Sequence, residues 1–381
     1  MRKICAFIVG ILLFIAAVFC FDRHLDSSIS KNKEAVRNYR SYERFWSYDI
    51  QKQVIDENTL PIFGSSELVS LGDCQSYISS FLNSDDMNIV TIGGDYFQSL
   101  SHIMELGSIE DCLKTKKVAL FLSPQWFEKG GISSDAFPQR FGEEHFLNFL
   151  ANKRISDKNK EYVIDRTLEL LKDSPIQLAR VENYKKGYEN KLGIYGMYSK
   201  LMSEFWELKD KYAVYKDLDS MEHNLPKVDL KNMDFTEMLN FAEEQGKVYC
   251  TNNDFGIHNQ YWTDYVQEPF ENGEVEKKEQ AFTESIEYDD LTCFLDVAKE
   301  LGIEVIVVSI PVNGAWYDYQ GMLCDDYYKK VANLVKPYEN VAFVDMTPYA
   351  HEKYFMHDVM HLGWKGWTRV NEALYREFTK E

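Results

Sequence analysis

The chain has too few basic residues for a protein that binds nucleic acid. Its 381 residues include 42 Lys and Arg against 61 Asp and Glu, a formal net charge of −19. Nucleic-acid binding needs a positive field, so the charge excludes that class of partner. The plain interpretation of the acidic excess is a solubilising surface. Such a surface stands away from anionic lipid headgroups rather than lying on them.

Cysteine is also scarce, and its spacing excludes the common cysteine frameworks. The chain has seven cysteines and no Cys-x-x-Cys motif. Two lie in an N-terminal apolar run; the other five are Cys74, Cys112, Cys250, Cys293 and Cys324. An odd number argues against a disulfide framework while allowing one bridge, so buried thiols are expected. Repeats and low-complexity linkers are lacking too, and 45% hydrophobic residues indicate a sizeable core.

The longest hydrophobic run lies at the N-terminus, where uncharged residues 4–21 follow Arg2 and Lys3. These eighteen residues are just enough to cross a bilayer. The alternative is a cleaved signal peptide, but its apolar region is usually shorter and ends in small residues, whereas this run ends Val18-Phe19-Cys20-Phe21. Positive charge before the run keeps that end inside. The sequence therefore predicts a single-pass cell-membrane anchor at 1–22, with the remainder extracellular.

The rest of the chain alternates between apolar runs and helical patterns. Helical patterns such as 96–106 and 289–301 separate the runs, which predicts an α/β domain with a parallel sheet covered on both faces. The predicted strands are 58–64, 88–93, 117–122, 303–310 and 340–345. Ligands on such sheets bind beyond the carboxyl ends of the strands.

Two segments lie outside this alternation. Residues 128–285 are rich in Lys, Glu and Tyr, with helical runs at about 142–182 and 193–217. They are predicted to be a helical insertion that caps the active edge of a domain spanning 58–381. Residues 23–57 are polar with scattered aromatics, and are predicted to be a linker segment between the anchor and the sheet.

A serine after the first strand and an Asp-x-x-His near the C-terminus suggest a hydrolytic triad. Ser66 follows an apolar run and small residues, and Asp358 and His361 lie 292 and 295 positions later. In such a triad the His takes the serine proton and the Asp sets its tautomer and orientation. Ser66 Oγ is therefore expected roughly 3 Å from a ring nitrogen of His361. Glu67 is interpreted as a helix-favouring carboxylate of the next turn.

A metal site is the competing interpretation of the C-terminal motif. His357 and His361 are four residues apart, with Asp358 where zinc proteases have Glu. Both histidines would then have to share one helical face, and Leu362-Gly363-Trp364 breaks any helix there. We therefore expect neither a metal nor a cofactor.

Other residues that follow strands are candidates for stabilising an oxyanion. The amide of Ser66 is one donor, and the amides of Gly94 and Gln125 are two more, although each is also explained by ordinary turn chemistry. Because parallel strands end at one edge, these residues and Pro311-Val312-Asn313-Gly314 are expected to cluster there.

Several motifs resemble the DltD family, the D-alanyl transfer proteins of Gram-positive cell envelopes. The resemblance runs from the anchor to the C-terminus. It is carried by Phe63-Gly64-Ser65-Ser66-Glu67-Leu68, Gln98-Ser99-Leu100, Ser123-Pro124-Gln125-Trp126-Phe127, Pro311-Val312-Asn313-Gly314-Ala315-Trp316-Tyr317-Asp318-Tyr319 and Asp358-Val359-Met360-His361-Leu362-Gly363-Trp364-Lys365-Gly366-Trp367.

The resemblance implies an SGNH-hydrolase-like domain outside the membrane, held by one N-terminal helix, that esterifies teichoic acid with D-alanine. It implies Ser66 as nucleophile, and Asp358 and His361 as its acid–base pair. Ser65 stands where the wider SGNH group has Asp, and Ser123-Pro124-Gln125 stands where it has Gly-x-Asn. The implied partners are lipoteichoic acid, the multi-span acyltransferase DltB and the carrier protein DltC.

Three functions remain open from the sequence. The first is D-alanyl transfer to lipoteichoic acid by a serine-dependent O-acyltransferase. The second is an esterase or thioesterase of the same fold, acting on wall polymers or an acyl carrier, and the third is a non-catalytic scaffold. Transfer requires a cleft that excludes water. Trp126, Asn313 and Trp316 are candidates for the wall of that cleft, with core packing as the plainer interpretation. Lys365 is a candidate for a phosphate contact, with a solvated lysine as the plainer interpretation.

Overall fold

Five apolar segments form one parallel sheet. The computed structural model describes residues 2–68, 82–274, 282, 284–321 and 324–380. The strands lie in the order β2-β1-β3-β4-β5, and every pairing is parallel. Each predicted strand lies within one residue of the observed one at either end, and the α/β class is confirmed. The strands are β1 Thr59–Phe63, β2 Asn88–Ile92, β3 Lys117–Leu122, β4 Glu304–Ser309 and β5 Val341–Asp345.

Helices surround this sheet. Among the described residues, the α-helices of five or more residues are α1 Arg2–Lys31, α2 Lys33–Asn38, α3 Tyr42–Trp46, α4 Tyr48–Val54, α5 Ser99–Ile109, α6 Glu143–Ala151, α7 Asp157–Leu170, α8 Pro175–Glu189, α9 Ile194–Asp217, α10 Phe235–Tyr249, α11 Gln267–Glu271, α12 Glu287–Leu301, α13 Gly314–Gln320, α14 Asp325–Val335 and α15 Trp364–Phe378. The helix expected at 96–106 begins three residues later, because Tyr96 adopts a positive φ of 64° that no α-helix accommodates.

Both faces of the sheet are buried, as the continuous apolar strands require. On one face the Phe63 ring lies 5.9 Å from Phe294 of α12. On the other face the Phe121 ring lies 6.2 Å from Trp367 of α15. Two apolar clusters therefore fix the sheet between helical layers, and the carboxyl ends of the strands are left to carry the loops.

The strand order places a crevice beside β1. Because β2 and β3 flank β1 on opposite sides, the chain direction across the sheet reverses there. Ligands of open parallel sheets bind at such a reversal. Ser66 lies just beyond the end of β1, and Ser123 just beyond β3.

Glycine is required where the ends of β1 and β2 meet. Gly93 has a φ of 120°, and a Cβ there would lie 1.9 Å from the Gly64 carbonyl oxygen. We expect Gly93→Ala to lower the free energy of unfolding by at least about 2 kcal/mol, from strain and from this clash. Gly130→Ala is the control, because its φ of 102° is strained but no atom lies within 4 Å of the added Cβ. Urea unfolding followed by circular dichroism would measure both; equal losses would contradict the clash.

Residues 23–57 differ from the expected linker. They contain the end of α1 and the whole of α2, α3 and α4. Val36, Phe45 and Ile50 are completely or almost completely buried in the main apolar cluster. Helices of five to seven residues are too short to give a clear amphipathic period, so the sequence reads as polar with isolated aromatics.

The N-terminal helix continues from an apolar segment into the folded domain. Among the described residues, α1 is the helix that is long and apolar enough to cross a membrane, with a mean hydropathy of 3.1 over an unburied 18-residue window. At the end of this apolar run, the Phe21 ring lies 5.8 Å from Tyr212 of α9. The buried Lys211 ammonium pairs with Asp22, Asp26, Asp49 and Glu207. Aromatic and ionic contacts therefore join the end of the apolar segment to the domain.

The described residues between β3 and β4 are helical and irregular. The run expected at 142–182 is divided into α6, α7 and part of α8, with breaks before Ser156 and Pro175. Of the described residues in the predicted insertion 128–285, those that reach the cavity described below are Glu128 and residues 131–133. Its role as a cap stays a prediction.

Buried thiols account for the cysteines of the described part of the domain. Cys112, Cys250, Cys293 and Cys324 are buried, and no disulfide joins cysteines among the described residues. Cys74 lies outside the described residues.

Candidate active site

Ser66 begins a tight 3-10 turn directly after β1. The turn comprises Ser66–Leu68, and the Leu68 amide donates to the Ser65 carbonyl. The Gly64 amide donates to Ile92 at the end of β2. These bonds hold the turn against two strands, while Ser66 itself stays partly exposed at the sheet edge.

Asp358 and His361 lie in a closed loop rather than on a helix. A β-bridge joins Met356 to Leu362, and the His357 amide donates to the His361 carbonyl at 2.8 Å. Asp358 Oδ1 accepts hydrogen bonds from the amides of Met360 and His361, both at 2.8 Å. The His357 ring stacks 4.6 Å from His258. This loop fixes the Asp358 carboxylate while leaving its second oxygen for a side chain.

The loop brings His361 between Asp358 and Ser66. His361 Nδ1 lies 2.7 Å from Asp358 Oδ2, and His361 Nε2 lies 3.1 Å from Ser66 Oγ. With Nδ1 protonated toward the carboxylate, Nε2 accepts the serine proton. The distance of roughly 3 Å expected from the sequence is the one found. The three side chains are thus hydrogen-bonded in one line, the arrangement that a serine nucleophile and its base require.

The two titratable partners stabilise each other's charged forms. Burial opposes charge on His361, but the Asp358 carboxylate, with smaller effects of Glu67 and Asp95, raises the pKa of His361 above its usual value. Burial likewise opposes ionisation of Asp358, yet the His361 ring and two backbone amides hold the Asp358 pKa below its usual value. The Asp358 carboxylate therefore stabilises the protonated, imidazolium form of His361.

Glu67 makes contacts that its interpretation as a helix-favouring first-turn carboxylate does not include. It is 3% exposed, and its oxygens accept from the Ser65 amide at 2.9 Å and from Ser123 Oγ at 3.2 Å. Burial raises the pKa of Glu67 above its usual value, against the opposing effects of its own amide, His361 and Ser123. Glu67 thereby ties the turn after β1 to the end of β3. The sequence signal for this role was that Glu67 follows β1 and Ser123 follows β3, since parallel strands end at one edge of a sheet.

A cavity of about 580 Å³ opens at the serine and histidine. Gln98 lies in its wall with 8% exposure, and its Oε1 is buried without a hydrogen-bond partner. The cavity is lined by Ser65, Ser66, Glu67, Asp95, Tyr96, Gln98, Ser123, Gln125, Trp126, Glu128, Gly131, Ile132, Ser133, Met360 and His361. This volume lies in the usual range of small-molecule binding pockets.

The two candidate oxyanion residues are placed differently. Gln125 lines the cavity, beside Trp126. Gly94 is absent from the lining, although its neighbours Asp95 and Tyr96 belong to it. A Cβ added at Gly94 would lie 3.7 Å from Tyr42, which is an ordinary van der Waals distance. Close packing therefore requires glycine at position 93 but not at position 94. The donor roles of both amides stay predictions.

Of the four predicted cleft residues, Trp126 alone lines the cavity. Asn313 caps α13 through the Trp316 amide and donates to the Phe255 carbonyl at 3.0 Å. Its backbone amide donates to Val359 in the catalytic loop, so Asn313 supports the loop from behind. Trp316 is 9% exposed and packs against the Phe255 ring at 5.2 Å. The structure thus places Asn313 and Trp316 outside the cavity lining: Asn313 supports the loop and Trp316 packs against Phe255.

Lys365, the candidate for a phosphate contact, lies in ion pairs instead. Its ammonium pairs with Glu243 and Glu352, and its side chain is only 13% exposed. Lys365 is outside the cavity lining. Because two carboxylates already neutralise it, Lys365 is a structural ion-pair partner and not a contact for phosphate.

Comparisons with known proteins agree on one family. The family model described as DltD protein matches residues 39–379. Protein DltD of Bacillus subtilis (strain 168) is 29% identical over 331 residues, covering 85% of this chain and 84% of its own length. Protein DltD of Staphylococcus aureus is 28% identical, covering 87% and 84%. Protein DltD of Lacticaseibacillus rhamnosus is 23% identical, covering 87% and 80%.

Proposed function

The chain belongs to the DltD family, and from this premise we propose that it is a membrane-anchored acyl transfer protein that places D-alanine esters on lipoteichoic acid. The observation that carries the proposal is the line of hydrogen bonds from Ser66 through His361 to Asp358. The acyl group and the acceptor come from the resemblance to the family. The reaction steps proposed below follow from the side chains of Ser66, His361 and Asp358.

In the first step, Ser66 Oγ attacks the carbonyl carbon of an activated D-alanyl ester or thioester. His361 Nε2 takes the Oγ proton, and the C–O bond to serine forms. The tetrahedral intermediate then collapses, and the imidazolium gives its proton to the departing alkoxide or thiolate. D-alanine is left as an ester on Ser66.

In the second step, a hydroxyl of the acceptor replaces the leaving group. His361 Nε2 takes the hydroxyl proton as the acceptor oxygen attacks the seryl ester. Collapse returns the proton to Ser66 Oγ and releases the D-alanyl ester of the acceptor. Amides of Ser66, Gly94 and Gln125 are the proposed donors to the oxyanion in both steps. Asp358 orients the imidazole throughout.

The proposed setting is the outer face of the cell membrane. Helix α1 would hold the domain there, with DltB and DltC as the proposed partners in D-alanyl delivery. N-terminal sequencing of the mature protein tests retention of the helix, and a start near Asp22 would count against it.

Acceptor dependence separates transfer from hydrolysis by the same triad. The full chain in detergent would be given p-nitrophenyl acetate and increasing glycerophosphoglycerol, and the acetylated acceptor measured by mass spectrometry. Transfer is expected to increase with acceptor at the expense of free acetate. Acetate as the only product at every acceptor concentration would instead support an esterase.

A further inference from the structure

Arg140 lies beside the cavity at Ser66 and His361, and no carboxylate of the described residues pairs with its guanidinium. Other arginines of this acidic chain form ion pairs, such as Arg154 with Glu110 and Arg180 with Glu143. Within the described residues, the hydrogen bonds of the Arg140 guanidinium reach only backbone carbonyls: Nε donates to Asp95 at 2.6 Å and Nη1 to Gln139 at 3.4 Å. Its positive charge is therefore not neutralised by the protein.

Aromatic rings hold this guanidinium in place. Its central carbon lies 4.7 Å from the centre of the Tyr42 ring and 6.0 Å from that of Tyr96. The Arg140 carbonyl also accepts a hydrogen bond from the Trp46 indole at 3.1 Å. A guanidinium fixed by cation–π contacts loses less side-chain entropy when it binds a ligand.

The turn that Arg140 holds forms part of the cavity wall. Asp95 and Tyr96 both line the cavity that contains Ser66 and His361. Tyr96 is 58% exposed and has a φ of 64°, a conformation that costs energy for a residue other than glycine. Strain of this kind persists where the surroundings impose it, and here Arg140 binds the carbonyl that precedes Tyr96.

The cavity lining is acidic, whereas the neighbouring Arg140 is positively charged. As far as the structure describes the chain, the lining contains Glu67, Asp95 and Glu128 but no Lys or Arg. An anion would be repelled from this interior, and the net charge of −19 repels it from most of the surface. Arg140 binds the Asp95 carbonyl, and so offers an anion a cationic, two-pronged contact beside the wall of the cavity that contains Ser66.

We propose that Arg140, supported by Tyr42 and flanked by Tyr96, binds a phosphodiester of the acceptor while a neighbouring acceptor hydroxyl reaches the acyl group on Ser66. This inference rests on the proposed function and adds an acceptor subsite to it. A guanidinium fork matches two phosphodiester oxygens, whereas neutral glycerol has no group for it. Arg140 thus selects among acceptors and takes no part in the proton transfers.

The test compares two acceptors that both present glycerol hydroxyls, one with a phosphodiester and one without. Full-length wild type and Arg140→Gln would receive p-nitrophenyl acetate with either glycerophosphoglycerol or glycerol. The ratio of transfer to the phosphodiester over transfer to glycerol is expected to fall about 10-fold or more in Arg140→Gln, as expected for a lost charge-assisted hydrogen-bond pair. Arg140→Lys is expected to keep part of the preference. Arg376→Gln, which removes an exposed guanidinium paired with Glu372, is the control.

The salt dependence of the wild-type KM values tests the subsite without a variant that could fail to fold. Raising ionic strength should increase KM for glycerophosphoglycerol and leave KM for glycerol unchanged. An unchanged acceptor ratio in Arg140→Gln, or equal losses with both acceptors, would overturn the subsite. Absence of acyl transfer in the wild type would instead reject the proposed function, so the two failures are distinguishable.

Discussion

Cells that carry Ser66→Ala at normal protein level are expected to lose the D-alanine esters of lipoteichoic acid that depend on this protein. Alanine removes the only atom, Oγ, that lies against His361 Nε2 at 3.1 Å and can form the acyl ester. Loss of the nucleophile of a serine triad lowers the rate on the order of 10⁴-fold or more. The measurement is the D-alanine released by mild base from purified lipoteichoic acid.

Ser220→Ala provides the matched control. Ser220 is exposed, and its hydroxyl bonds only the nearby Asp217 carbonyl. Its replacement should leave esterification unchanged, and immunoblotting of membranes would establish equal amounts of both variants. Undiminished esterification in Ser66→Ala cells would reject the catalytic proposal and favour the scaffold.

The parts of the fold that sequence predicts well are those where one physical signal dominates. The buried strands β3 and β4 are continuous apolar runs, since both faces of the sheet are covered. The helices of 23–57 have no such signal: Arg44 is completely buried, and its guanidinium donates to the Thr91 carbonyl. Burial of this kind depends on tertiary partners that the local sequence does not reveal.

The same distinction applies to the candidate site. Asp358 and His361 are three residues apart, and their association with Ser66 follows from known triad chemistry. The partners of charged side chains are set by distant segments. Lys365 is neutralised by Glu243 and Glu352, whereas Arg140 has aromatic neighbours and no carboxylate among the described residues. Sequence alone therefore does not show which cations of this acidic chain are paired with carboxylates.

Asp358→Asn is expected to lower kcat/KM for p-nitrophenyl acetate by about 10⁴-fold at neutral pH while preserving the fold. The amides of Met360 and His361 donate to Oδ1, so the carboxamide oxygen of Asn keeps that position. Its NH₂ group then faces His361 Nδ1 in place of Oδ2. The amide donates to Nδ1, the ring proton moves to Nε2, and Nε2 no longer accepts the proton of Ser66.

The pH profile distinguishes this tautomer effect from a general loss of structure. The base must be neutral, and Asp358 raises the pKa of His361 despite burial, so wild-type activity should fall as pH drops through a value above the usual 6.5 of histidine. Without the carboxylate the His361 pKa falls, and the acid limb of the residual activity should move to lower pH. Asp229→Asn, at an exposed carboxylate bonded to Asn232, is the control and should keep both rate and profile. Retention of more than about a tenth of wild-type kcat/KM by Asp358→Asn would contradict the orienting role of Asp358, because a triad that lacks its tautomer-setting group loses far more.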